Sequence, residues 1–406
     1  MTHQNQRRNF LRIVGGVGAA AIIGSSLAAC APPTNGGNSG GGDQDTLKLG
    51  FLTSFTGQPV LATAQFQGFE LAVDQLNAAG GAGDRTISFV KEDDAADSKQ
   101  TIDKANKLAL SDKVNAVVGL ITSLEREAAL TVLPKAETPL FYTTYYEGSY
   151  LDAQACDAYY VATGQVPNQQ IDPLVPWLTE NVGTEYFVVG SDYIWPRGTS
   201  IRLNELVEED NGSVIDEQYF PFGTTDFSQV LREIDSSGAD IAWVTLAGAD
   251  FLTFLTQARQ FGLKAKIVSL GMDDVFAEAN PEAAAGVIAS QAYFRSIDTE
   301  ANAKFLEAYS EAYGADEPIN AVGVAAYNAV NLIAAAVEKA DSVDTDAWMA
   351  EISNVEFDGP MGVVKVSETN QNTTSANYIG EVQPDGSISI LSESEAVEPD
   401  LPGCSL

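Results

Sequence analysis

From Thr46 onward, short apolar runs alternate with segments of helical period. No other feature of the chain constrains its fold as much. Strand–helix–strand repeats of this kind pack as parallel sheets with helices on both faces. Strands are predicted over 47–52, 87–91, 116–119, 140–143, 159–163, 186–190, 214–219, 241–245, 267–270 and 286–293. Helices are predicted over 64–78, 98–109, 124–135, 169–180, 198–208, 227–234, 251–261, 299–313 and 320–340. A β-rich tail follows over 362–366, 376–382 and 387–391, with a turn at Pro384-Asp385-Gly386. That is more strands than one open sheet usually carries. The expected fold is therefore α/β, with two lobes that each hold a doubly wound parallel sheet. Glycine-ended strands, Val118-Gly119 and Val189-Gly190, place loops at strand C-termini, where such sheets bind ligands. The run Gly80-Gly81-Ala82-Gly83 follows a helix and reads as a helix stop. There is no glycine loop of the phosphate-binding type, and no cofactor is expected.

The first 45 residues lie outside this pattern. Arg7-Arg8-Asn9-Phe10-Leu11-Arg12 precedes a soft apolar stretch over 13–29, too short and weakly hydrophobic for a comfortable span. A paired arginine before such a stretch resembles a twin-arginine export signal, although Gln6 stands where that signal often has Ser or Thr. Leu27-Ala28-Ala29-Cys30 resembles a lipobox, which makes Cys30 the expected lipidated first residue of the mature chain. An uncleaved N-terminal anchor is the alternative. Residues 1–30 are thus read as signal and 31–45, rich in Gly and Ser, as a flexible tether. Either reading puts the folded part outside, anchored to the outer face of the cytoplasmic membrane. Gly37-Asn38-Ser39-Gly40-Gly41 matches a nucleophile-elbow spacing by chance, since no strand precedes it and no helix follows.

Charge and histidine narrow the function. The chain has 56 Asp plus Glu against 22 Lys plus Arg; without Arg7, Arg8 and Arg12 the mature balance is 56 against 19, a net −37. Such a surface repels nucleic acid. It repels itself too unless salt screens it, and we read it as an adaptation to molar salt; a merely acidic exported protein is the alternative. The single histidine, His3, lies in the signal. Ser-His-Asp and Cys-His catalysis and His-ligated zinc are therefore excluded from the mature chain, and no metal site is expected. With Cys30 consumed by lipid, Cys156 and Cys404 are left in an oxidising compartment, which favours a disulfide between them; two free thiols are the alternative.

Four loops after strands concentrate hydroxyls, rings and carboxylates. In Leu120-Ile121-Thr122-Ser123, Ser123 is placed to cap the following helix or to hold a ligand oxygen. The loop 141–148 has three tyrosines in five residues, whose apolar faces and polar tips suit a small ligand or inter-lobe packing. In 190–197, Asp192 could cap a turn while Tyr193 and Trp195 face a cleft. The fourth group joins 245–250 with Gly271-Met272-Asp273-Asp274, whose acidic pair could hold an ammonium, cap a helix or face solvent.

These residues resemble a known family. Tyr142-Thr143-Thr144-Tyr145-Tyr146-Glu147-Gly148, Pro167-Asn168-Gln169-Gln170, Gly190 to Arg197, Tyr219-Phe220-Pro221-Phe222-Gly223, Tyr293 to Thr299, Phe357-Asp358-Gly359-Pro360 and Tyr378 to Val382 are similar, in order, to the amide- and urea-binding branch of the branched-chain-amino-acid-type periplasmic binding proteins. The resemblance covers residues 47–402. It implies two Rossmann-like lobes joined by a three-stranded hinge, with a ligand trapped as they close. The first lobe would comprise 46–163 plus 295–358, the second 164–294 plus 359–395, and the C-terminal tail 396–406. Ser123, Tyr142 and Thr144 would contact the ligand from the first lobe and Tyr193 from the second, with Gly248 and Asp273 facing the cleft. Ile121 departs from the family's aromatic residue two before the serine and alters the pocket wall. The implied function is capture, without chemistry, of a small neutral ligand, urea or a short amide, for delivery to an ABC transporter permease. An amino-acid-binding protein using Asp273 or Asp274 for the ammonium is the nearest rival. An amide-sensing receptor and a carboxylate-based hydrolase are further ones.

Overall fold

The computed structural model describes residues 46–151 and 156–406. The signal, the tether and Cys30 lie outside the described residues. The first sheet holds β1 (Thr46–Thr53), β2 (Thr86–Asp93), β3 (Ala116–Gly119), β4 (Leu140–Tyr142) and β5 (Tyr160–Ala162). All pairs are parallel, in the order β2-β1-β3-β4-β5. The second sheet starts again with β6 (Glu185–Ser191), β7 (Ser213–Phe220), β8 (Ile241–Thr245), β9 (Lys266–Ser269) and β10 (Ile288–Gln291). Their order, β7-β6-β8-β9-β10, repeats the winding of the first. After a small antiparallel sheet of β11 (Glu356–Gly359), β12 (Gly362–Val366) and β13 (Thr373–Thr374), the chain returns with β14 (Tyr378–Val382) and β15 (Ile388–Glu393). These two extend the second sheet antiparallel beyond β10. Each doubly wound sheet reverses strand order beside its first strand, between β1 and β3 and between β6 and β8, and opens a crevice there at the strand C-termini.

Central strands are apolar on both faces because helices cover both. Ala-Val-Val-Gly in β3 and Ile-Ala-Trp-Val-Thr in β8 are buried at every residue. The helix Ala321–Ala340 is long and apolar enough to cross a membrane, but 78% of its apolar window is buried and it serves as a core helix. It crosses the helix Pro59–Ala78 where two glycines face each other. A Cβ on Gly68 would lie 1.9 Å from the Gly323 carbonyl oxygen, and one on Gly323 would lie 2.5 Å from that of Ala64. Only hydrogen fits between these backbones.

Several expectations need correction. The predicted helix 169–180 is two helices, Pro167–Ile171 and Leu174–Asn181, broken where Pro173 withholds an N–H. The helix predicted over 124–135 stops at Leu130. The predicted strand 286–293 shortens to Ile288–Gln291. Short helices at Asp274–Ala279, Pro281–Ala284 and Thr345–Met349, and the strands β11 and β13, were not expected.

Cys156 and Cys404 are joined in a disulfide, with Cα atoms 5.5 Å apart across 248 residues of sequence. The tail that carries Cys404 has further holds. Asn168 donates to the Glu398 carbonyl and accepts from the Asp400 N–H. Asn370 donates to the Pro399 carbonyl, and Leu401 is buried among the first lobe's apolar side chains.

Candidate functional site

The site grows from the two strand-order reversals. After β3 the chain must turn at once, and it does so through Gly119 at φ +130° and Leu120 at φ +64°. A non-glycine residue in that region costs roughly 1–3 kcal/mol and persists only where its surroundings hold it. Here the Leu120 N–H donates to the Leu52 carbonyl, and the Leu120 carbonyl accepts from Gln65 Nε2 and Thr144 Oγ1, both at 2.9 Å.

The helix Ser123–Leu130 begins with a capping box. Thr122, not Ser123, is its N-cap, and Glu125 Oε2 accepts from the N–H groups of Ile121 and Thr122 at 2.9 and 3.0 Å. Ser123 is thereby spared from capping. Its hydroxyl donates instead to Glu147 Oε2 at 2.6 Å. Glu147 Oε1 meets Arg126 Nη2 at 2.5 Å, with both side chains fully buried. Tyr142 donates to the Ile121 carbonyl at 2.8 Å. The expected cluster of three tyrosines divides. Tyr142 and Tyr145 face the cleft, while Tyr146 turns into the core and donates to Asn372.

Behind this loop lies a second buried acidic group. Ser54 Oγ is 2.6 Å from Asp94 Oδ1 and 2.8 Å from Glu125 Oε1. A hydroxyl has one proton to give, so one of the two carboxyls must carry its own. Burial pushes Glu125 up to about 7, with the charge of Asp94 adding to the effect, and burial also raises Asp94.

From the second lobe, Tyr193 packs its ring against Trp195 and Phe222, at 6.2 and 5.2 Å between centroids. Trp195 reaches Tyr145 of the first lobe at 5.3 Å. Gly248 opens the helix Gly248–Phe261 at φ +57°, and a Cβ there would lie 2.7 Å from Gln58 Oε1 across the cleft.

The space between these groups is about 460 Å³ when the open solvent at its mouth is counted. It is lined by Gln58, Thr122, Ser123, Tyr142, Thr144 and Tyr145 on one side and by Tyr193, Trp195, Ala247, Gly248, Gly271 and Phe276 on the other, with Leu61, Ile121 and Leu246 between. Among these described lining residues there is no Asp, Glu, Lys or Arg. Five of the six expected residues, Ser123, Tyr142, Thr144, Tyr193 and Gly248, thus meet at one cavity. The sixth, Asp273, is not on its wall. Asp273 Oδ1 caps the helix Asp274–Ala279 at Phe276 N, and Oδ2 accepts from Asn320 at 2.7 Å. Burial raises its carboxyl to about 6. Asp274 accepts from the Arg295 N–H, and Asp192 pairs with Arg197 at the surface. Gln58, Tyr145 and Phe276 were not among the expected contacts, and Trp195 was expected to face the cleft without being assigned to the ligand. Tyr145 and Trp195 sat in loops already marked by their aromatic content, whereas nothing in the sequence marked Gln58.

A cavity at the strand ends of two sheets whose five parallel strands share one winding is the geometry of a two-lobed solute-binding protein. The chain belongs to the periplasmic binding protein family: the profile described as "Periplasmic binding protein domain" matches residues 47–401. That family is one of extracytoplasmic solute-binding proteins, and the chain's homologues are binding proteins rather than enzymes. Among similar proteins, the Leu/Ile/Val-binding protein homolog 7 of Brucella abortus is 26% identical over 366 residues, covering 84% of this chain and 90% of its own. Homolog 6 of Brucella melitensis is 24% identical, covering 83% and 88%. Among solved structures, an ABC-transporter solute-binding protein from R. palustris in complex with benzoate superposes with a TM-score of 0.79 at 22% identity, over 89% of this chain and all of that one. The branched-chain amino acid binding protein LivJ from Streptococcus pneumoniae in complex with isoleucine gives 0.74 at 24%, over 87% and 100%.

Proposed function

We propose that this protein captures a small uncharged amide, urea or a short-chain amide, between its lobes and presents it to its permease. The observation that carries this reading is the uncharged wall of the cavity. Hydroxyls, one side-chain amide and aromatic rings can satisfy a carbonyl and N–H groups. They offer no counter-charge to a carboxylate, and an unpaired buried ion costs several kcal/mol. Benzoate and isoleucine, bound by the two solved relatives, both carry one. The lobe division 46–163 plus 295–358 against 164–294 plus 359–395 gives the closing bodies, and Tyr193 closes onto the ligand from the second. Attachment through lipidated Cys30 and adaptation to molar salt complete the proposal.

A second reading, an amino-acid-binding protein, is favoured by one observation: the buried Asp273 stands in sequence between two wall residues, Gly271 and Phe276. Calorimetry in molar salt with acetamide, urea, acetate, benzoate and leucine separates the readings. Acetamide or urea should bind, and Tyr193→Ala should abolish that binding while leaving the melting temperature of the ligand-free protein nearly unchanged. Binding of leucine or benzoate with no response to either amide or urea overturns the proposal.

A further inference from the structure

We infer that Glu147, which touches no ligand, sets the hydrogen-bonding polarity of the site and thereby selects a ligand that arrives with an N–H at Ser123. The inference rests on the amide reading above and deepens it. A serine hydroxyl has one proton and two lone pairs. Glu147 Oε1 is paired with the Arg126 guanidinium at 2.5 Å, a group that keeps its charge in proteins. A carboxylate can only accept, so the 2.6 Å contact with Ser123 commits the Ser123 proton to Glu147 Oε2. What Ser123 turns to the cavity is then lone pairs alone.

The neighbouring hydroxyls point the same way. Tyr142 gives its proton to the Ile121 carbonyl and Thr144 to the Leu120 carbonyl. These two are weaker commitments. The Leu120 carbonyl is also served by Gln65 Nε2, so Thr144 can rotate its proton away at small cost. Ser123 cannot do so as easily. A hydrogen bond to a charged group is worth about 1.5–3 kcal/mol against about 1 for a neutral pair, and here the acceptor is fully buried. A carboxylate oxygen placed at Ser123 would face lone pairs; an amide N–H would meet an acceptor. Glu147 is thus a positioning residue for selectivity.

Neutron diffraction from D₂O-exchanged crystals of the ligand-free protein tests the polarity directly. The deuteron on Ser123 Oγ should lie on the line to Glu147 Oε2. A deuteron aimed into the cavity, or one carried by Glu147, overturns the inference. The functional arm compares acetamide with its isostere acetate by calorimetry. The buried pair is neutralised as a whole, with Arg126→Met and Glu147→Gln together, so that no lone charge is left buried. The acetamide-to-acetate affinity ratio should fall by about tenfold or more, whereas loss of packing alone would weaken both ligands alike. An unchanged ratio in a variant that still melts cooperatively overturns the inference; if the variant does not fold, the neutron result decides. A wild type that binds leucine and not acetamide, with the deuteron on the Glu147 line, ends the amide reading and leaves the role of Glu147 standing, since an ammonium also brings N–H groups.

Discussion

Glu125 shows how a capping residue at the site acquires a pH dependence. It holds the amides of Ile121 and Thr122, yet it lies buried beside Asp94. With its carboxyl raised from 4.5 to about 7, the folded chain keeps a proton through that interval which the unfolded chain has lost. The folded state then binds more protons, so this group's contribution makes stability fall as pH rises from about 4.5 to about 7, and level off above. A glutamine keeps the acceptor for the two amides and can donate to Ser54, but it does not titrate. Glu125→Gln should therefore gain melting temperature relative to wild type on going from pH 5 to pH 8. Thermal melts at the two pH values check this, and an equal difference at both would sink it.

At the scale of elements, the crossing of Pro59–Ala78 with Ala321–Ala340 depends on Gly68 and Gly323. Gly323→Ala brings a methyl to 2.5 Å from the Ala64 carbonyl oxygen, and backbone cannot yield as a side chain does. The expected cost is about 1–3 kcal/mol, read as a lower denaturant midpoint. A midpoint within error of wild type would mean that the helices slide apart freely. Which elements were legible in the sequence follows from the same physics. β3 and β8 were predicted to the residue, because short apolar runs buried on both faces end abruptly at a turn. The helix Asp274–Ala279 was not predicted, since six residues cannot display a helical period, although a helix cap was among the readings of the acidic pair 273–274. Glu356–Gly359 is four residues with a single large apolar side chain, too short for its alternation to stand out. In the site, loops at strand C-termini brought five expected residues together. Gln58 was missed because the helix start was set at 64 rather than at Pro59. The role of Glu147 was hidden because its partner Arg126 sits in Ser-Leu-Glu-Arg-Glu, a run that reads as a solvated helix face.

At the scale of the whole molecule, charge and connectivity dominate. A net charge of −34 destabilises a compact body wherever screening is weak. The Debye length shrinks from about 10 Å at 0.1 M salt to about 3 Å at 1 M. The melting temperature should climb steeply over that range, and a flat response would remove the reading as an adaptation to salt. The bond from Cys156 to Cys404 has a mechanical consequence. It short-circuits the chain, so tension between the two ends of the chain passes from residue 156 straight to residue 404. The second sheet lies wholly inside the bypassed ring and bears none of that load. In optical-tweezer pulling from the two ends, the oxidised protein should yield only the length outside the ring. Reduction should release the 248 residues held back, roughly 80–90 nm of added contour length. Equal lengths before and after reductant would show that the load path runs through both lobes.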